Sequence, residues 1–303
     1  MKKKWIPIGI AVFAVVDIVL VYLAVRHTSG SAASAQESAV TTSVESTTSQ
    51  SQDGSTQQTT SAPATSAGSG TPSDAVSLIS LATDGTVLQA SSGQCGAGGS
   101  AGLQLSTDGG KTFAPLQAPE HQVLRVIATS EVNLQYVGAG QDCEPALYQS
   151  VDGGTTWSKG PADGSWHLAA GAPSTTVESP EGPQDAGCVP VAISVLSKTS
   201  SFIACADGSA RGTVDSGKTW TPAGEPQGIV SVSFLNQTSG YALAVGQDCP
   251  AEVRRTTDGG ESWNPVGCIQ GSTPESIDAI GQQVVAVVDG AFHTSTDGGV
   301  TWS

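Results

Sequence analysis

Positive charge is almost missing beyond the first 28 residues. Eight basic residues remain there (Lys111, Lys159, Lys198, Lys218, Arg125, Arg211, Arg254 and Arg255) against 26 acidic ones, a net of −18. Nucleic acids and anionic lipid headgroups both need a basic surface, so neither is expected as a partner. Solubility accounts for an acidic balance by itself, and attraction to a cationic partner is the sharper reading. Metal patterns are missing too. His121, His167 and His293 stand alone, without the paired spacing of a zinc site. The loops Gln141–Glu144 and Gln247–Cys249 offer oxygens but not the alternating acids of a calcium loop. No Cys-X-X-Cys occurs, which excludes that redox motif. No metal and no cofactor is therefore expected.

A single apolar run is long enough to cross a bilayer, from Trp5 to Val25. About 21 residues at a helical rise of about 1.5 Å span roughly 30 Å. The lysines at 2–4 place the N-terminus in the cytoplasm and everything after Arg26 outside. Residues 1–27 thus read as a cytoplasmic tip and signal-anchor transmembrane helix. Ala33-Ser34-Ala35 fits the competing cleaved-signal reading, but the run is long for a signal peptide. Asp17 sits in mid-run, where a carboxylate is costly unless protonated or paired with another membrane helix. Residues 28–73 are low-complexity, with Ser or Thr at 23 of 46 positions. They cannot bury enough apolar surface to order, so they read as a tether whose ends lie about 35–40 Å apart on average.

From residue 74 onward five stretches nearly repeat one another. They are Ser106–Phe113 (Ser-Thr-Asp-Gly-Gly-Lys-Thr-Phe), Ser150–Trp157, Thr213–Trp220, Thr256–Trp263 and Ser295–Trp302. Their aspartates (Asp108, Asp152, Asp215, Asp258 and Asp297) are candidates to accept turn N–H groups. The fifth-position glycine supplies a positive φ. The closing aromatic, Trp in four of them (Trp157, Trp220, Trp263, Trp302), packs between sheets. These stretches resemble the Asp-box (bacterial neuraminidase) repeat, which implies a β-propeller. Apolar strand patterns recur upstream of each, for example Val230–Leu235 and Tyr241–Val245 before Ala251–Thr256. Four strands per unit make one blade. The expected fold is therefore an all-β propeller over 74–303, of about five four-stranded blades with six possible, behind an N-terminal transmembrane helix. The interval of 63 residues between Asp152 and Asp215 contains Ser158–Gly187, read as an inserted loop, with a degenerate sixth blade as the alternative. How the ring closes is left open, because the last box is followed by one residue.

Six cysteines outside the membrane read as disulfides. Cys95, Cys143 and Cys249 occupy equivalent blade loops, Cys188 and Cys268 fall in or near blade links, and Cys205 ends a strand. All six map to one rim. Cys249–Cys268 is the firmest pair. Cys95–Cys143 with Cys188–Cys205 ranks ahead of Cys143–Cys188 with Cys95–Cys205, because both pairs are local.

Two motif matches are rejected on context. Gly212–Thr219 fits the P-loop pattern, and Gly98–Gly102 the nucleophile elbow, but both need a strand-to-helix turn. Resemblance to sialidases would imply an arginine triad, an Arg-Ile-Pro-like segment and a Tyr/Glu pair. Here Arg125 is followed by Val126-Ile127, and at most three of four arginines can converge. Tyr136, Tyr148 and Tyr241 fall in expected strands, where packing is their role.

The resulting expectation is a membrane-anchored extracytoplasmic protein-binding or assembly module without catalysis, resembling bacterial Asp-box proteins that include relatives of the photosystem II assembly factor. That factor's basic patch has no counterpart here, so its partner does not transfer. Cell-wall carbohydrate binding, or sialidase-like hydrolysis as the one enzymatic option, is the alternative. The contact rim is expected at Gln94–Gly102, Gly140–Glu144, Ser158–Gly187, Gly246–Pro250 and Cys268–Pro274. Its candidate residues are Asp142, Glu144, Asp248 and an exposed anchor formed by Trp166 and His167, with burial of Trp166 in a blade core as the competing reading.

Overall fold

The computed structural model describes residues 77–96, 100–117, 120–225 and 227–303. The apolar run at 5–25, Asp17 and the 28–73 tether lie outside the described residues. Within the described residues the chain is all β, without a helix.

Twenty-two strands form six sheets, each an antiparallel meander of consecutive strands. Blade 1 holds β1 (Ser77–Leu81), β2 (Val87–Ser91), β3 (Gly102–Ser106) and β4 (Ala114–Leu116). Blade 2 holds β5 (Gln122–Ala128), β6 (Leu134–Ala139), β7 (Pro145–Ser150) and β8 (Ser158–Pro161). Blade 3 has only β9 (His167–Leu168), β10 (Thr176–Ser179) and β11 (Gly182–Asp185). Blade 4 holds β12 (Pro190–Val195), β13 (Ser201–Cys205), β14 (Ala210–Thr213) and β15 (Thr221–Pro222). Blade 5 holds β16 (Ile229–Phe234), β17 (Gly240–Ala244), β18 (Ala251–Thr256) and β19 (Asn264–Ile269). Blade 6 holds β20 (Pro274–Ile280), β21 (Gln283–Val288) and β22 (Ala291–Ser295). The inner strands β1, β5, β9, β12, β16 and β20 pack in that order and close back on β1. The protein is a six-bladed β-propeller.

Ser158–Gly187, expected as an inserted loop, is mostly blade 3. Ser158–Pro161 is the outer strand of blade 2, and the remainder forms a sheet whose three strands are two, four and four residues long. Short, polar, Pro- and Gly-bearing strands carry no alternating apolar signal, which is why the sequence reads as loop. Its hairpin keeps a trace of the repeat. The Glu181 N–H donates to Ser179 Oγ at 3.1 Å, as the Asp152 N–H does to Ser150 Oγ at 3.3 Å.

All five repeated turns have one internal geometry. In the second, Ser150 Oγ donates to Asp152 Oδ1 at 2.7 Å and accepts the Gly154 N–H at 2.8 Å. The Thr156 N–H and hydroxyl then donate to the two Asp152 oxygens at 2.9 and 2.7 Å. Both central positions are left-handed, the fourth as well as the fifth, and in the third turn Ser216 holds the fourth at φ 64°. The fifth glycine is also a contact point. A Cβ on Gly110 would meet Phe292 of blade 6, and one on Gly154 would meet Leu116 of blade 1. Each box turn therefore seats on the preceding blade.

The core lies between blades rather than at the centre. Leu88, Val126 and Tyr136 join blades 1 and 2, with Trp157 edge-on to Tyr136. Phe202 stacks on Phe234 between blades 4 and 5, and Trp263 stands edge-on to Phe234. The axis is a polar channel bridged by one recurring bond. Ser80 accepts the Ala128 N–H, Ser194 that of Phe234, Ser233 that of Ala279, and Asp278 that of Leu81, at 2.8–3.1 Å. Each crosses from one blade to the next. The last of them closes the ring, together with Leu81, Val87 and Val285 and an edge-on Phe113–Phe292 pair. Among the described residues of blade 6, the outer position is held by Ser303, paired with Thr294.

Candidate functional site

In the four-stranded blades, the loop between the second and third strands and the link to the next blade share one face, opposite the box turns. The six cysteines brace that face. Cys95–Cys143 joins the loops of blades 1 and 2 (Cα–Cα 5.2 Å), and Cys188–Cys205 ties the exit of blade 3 to blade 4 (5.9 Å). Cys249–Cys268 closes the blade 5 loop onto β19 (5.9 Å). This is the pairing favoured above for its locality.

Two clefts open between these braces. One, of about 730 Å³, lies over blades 1 to 4 among Cys95, Gln122, Leu168, Pro173 and Pro190. The other, of about 550 Å³, lies over blades 4 to 6 and the rim of blade 1. Its walls are Val191, Ile229, Val230, Val245 and Pro274, with Asp207 and Glu275 at the edge. The clefts share Val191 and Ala206, so they form one trough. Backbone makes the floor of the second cleft. A Cβ on Gly208 would lie 2.9 Å from the Gly228 Cα, and one on Gly228 would lie 2.8 Å from the Val245 carbonyl oxygen. Only glycine allows that approach, and Gly208 O accepts the Ile229 N–H there at 3.0 Å.

Asp142, Glu144 and Asp248 are exposed on this face, and Asp142 caps its own loop by accepting the Glu144 N–H at 3.2 Å. Trp166 and His167, expected as an exposed anchor, are both buried, at 2% and 3% exposure. The Trp166 indole N–H donates to the Ser197 and Lys198 carbonyls of blade 4, and its ring stands edge-on to Trp220. It fills the joint between blades 3 and 4, where a shortened blade leaves room for a large ring. Desolvation lowers the His167 pKa below its ordinary value, and Arg125 adds to that.

The channel beneath the trough, about 240 Å³, carries Arg125 and Asp278. Arg125 donates to the Trp166 carbonyl at 3.0 Å, and burial pulls its pKa down to about 10. Burial raises the Asp278 pKa, although Leu81, Ala279 and Ser233 all donate to its carboxylate. The other arginines are held apart: Arg254 pairs with Glu252 and Gln227, Arg255 lies over Tyr241, and Arg211 lies beside Gly187. Tyr148 does donate to Glu120, which also pairs with Lys159 at 3.0 Å. Burial and Glu120 raise the Tyr148 pKa, the opposite of what activates a phenol as nucleophile. The P-loop match runs through β14 into the third box turn, between two strands.

Sequence reasoning missed Asp207, Val245, Glu275 and Asp278. A signal for the last was present: Ser80, Ser194, Ser233 and Asp278 each precede two apolar residues in an inner strand.

No protein-family model matches this sequence, and no curated protein matches it. Among solved structures it is similar to YCF48 from Cyanidioschyzon merolae, at 16% identity over 71% of this chain and 78% of that one, with a TM-score of 0.44. It is similar to YCF48 bound to D1 peptide at 18% identity, over 77% and 67% of the two chains, with a TM-score of 0.30. The GH74 xyloglucanase from Xanthomonas campestris is similar at 17% identity, over 75% of this chain and 37% of that one, with a TM-score of 0.33. The chain's own strand order defines the class: a six-bladed propeller with one disulfide-braced, cleft-bearing face.

Proposed function

We propose that this chain is a membrane-anchored, extracytoplasmic, non-catalytic relative of the Asp-box proteins that binds a protein partner through its cysteine-braced face. The observation that carries the reading is the trough. Two adjoining clefts, built from inner-strand ends and loops on the face that the disulfides brace, cross a rigid scaffold. Preformed concavity lowers the ordering cost of binding. On the opposite face the five box aspartates spend their carboxylates inside their own turns.

A photo-crosslinking residue at Val245, beside the trough, tests this against one at Val151, exposed on the box face. The expected result is a single stoichiometric protein crosslinked in cells from Val245 and not from Val151. Equal capture from both positions, or no protein together with retention on insoluble cell wall, would overturn it. The second outcome would favour carbohydrate.

A further inference from the structure

We infer that the 550 Å³ cleft over blades 4 to 6 receives a cationic peptide segment bearing one large apolar side chain. This rests on the protein-binding reading and adds the partner's chemistry. The cleft walls are aliphatic, and Val245 is 53% exposed at their edge. An exposed apolar patch rimmed by polar groups marks a contact site. The rim supplies the sign of the charge. The loops and blade links of this face hold eight acidic residues and neither lysine nor arginine. Asp207 and Glu275 border the cleft itself, with Glu225, Asp248 and Asp289 on nearby loops.

Of the basic residues in the strands below, Arg254 is paired with Glu252 and Lys159 with Glu120, while Arg211 in β14 acts electrostatically on Asp207. Asp207 accepts the Ser209 N–H within its own turn, and Glu275, in β20, accepts the Gly290 N–H from the turn between β21 and β22. That fixes both carboxylates in place facing a partner. Complementary charge then steers encounter and rejects acidic segments, while the apolar side chain supplies the anchor.

The test uses the full chain in nanodiscs of zwitterionic lipid and three fluorescein-labelled peptides: Lys-Lys-Trp-Lys-Lys, Glu-Glu-Trp-Glu-Glu and Lys-Lys-Gly-Lys-Lys. The first is expected to bind at least tenfold tighter than either of the others, measured by anisotropy. Val245→Asn and the double variant Asp207→Asn/Glu275→Gln, which keeps both turn acceptors, are each expected to weaken it three- to tenfold. Near-ultraviolet circular dichroism identical to the parent confirms that these variants fold. Equal binding of the acidic peptide, equal binding of the glycine peptide, no binding of any, or no response to either variant overturns the inference. A protein crosslinked from Val245 alongside such a failure leaves the protein-binding reading standing; absence of any crosslinked protein removes both.

Discussion

Asp152 accepts from one backbone N–H and two hydroxyls, all within four residues, and the other four box aspartates repeat the pattern. Those bonds hold Asp108, Asp152, Asp215 and Asp258 at pKa values of about 2, and Asp297 lower still. A carboxylate depressed on folding contributes stability above its ordinary pKa and loses it as pH falls through the folded one. The box aspartates therefore add no pH dependence to thermal melting above about pH 4 and are expected to make it fall steeply from about pH 4 to about pH 2. The Asp152→Asn variant should melt lower at pH 7 and lose less over that window. His167 acts at a milder pH. Its folded pKa is lowered, so below about pH 6.5 the unfolded chain takes up a proton that the folded one refuses. Stability should slip between pH 7 and 5, and His167→Gln should flatten that slope. The box aspartates were legible because every partner is local. Asp278 was not, because its donors Ser233 and Leu81 lie 45 and 197 residues away.

Among the elements, the outer strands show how closely neighbouring blades approach. Gly267 in β19 and Gly160 in β8 are both strand glycines without left-handed backbone. A Cβ on Gly267 would lie 1.9 Å from the Gly299 carbonyl oxygen in the next blade's box turn, whereas one on Gly160 meets nothing within 4 Å. Gly267→Ala is expected to cost about 1–3 kcal/mol. Gly160→Ala should gain up to about 1 kcal/mol by restricting the unfolded chain. Urea midpoints compare the two. Trp166→Ala should cost about 3–5 kcal/mol, as loss of a buried ring does, and any folded variant should retain partner binding. Strand positions in the box-bearing blades were readable from alternation, within one or two residues in most cases. Blade 3 was not, because β9 has two residues and β11 reads Gly-Pro-Gln-Asp.

Across the whole molecule, the five boxes announced a propeller but not its size, since one blade carries no box. The contact face was legible in part. Cysteine positions located it, while its acids could be counted but not gathered around a cleft until inner strands from four blades met at one mouth. Among the described residues, the joint between blades 6 and 1 has no strand shared across it. Asp278→Ala would strip the Leu81 N–H of its acceptor and Arg125 of its nearest counter-charge, a loss of about 3 kcal/mol or more, read by chemical denaturation. That same Leu81–Asp278 bond sets an order of events. Every blade is a local meander whose strands meet after short stretches of chain, whereas this contact joins residues 197 apart. Loop closure over that span has to be met before the contact returns anything. Blades should thus assemble outward from any start, and the circle should shut last. By the same reasoning it opens first: the Leu81 amide should exchange with deuterated solvent through a partial opening at the seam, ahead of its counterparts at Phe234 and Ala279.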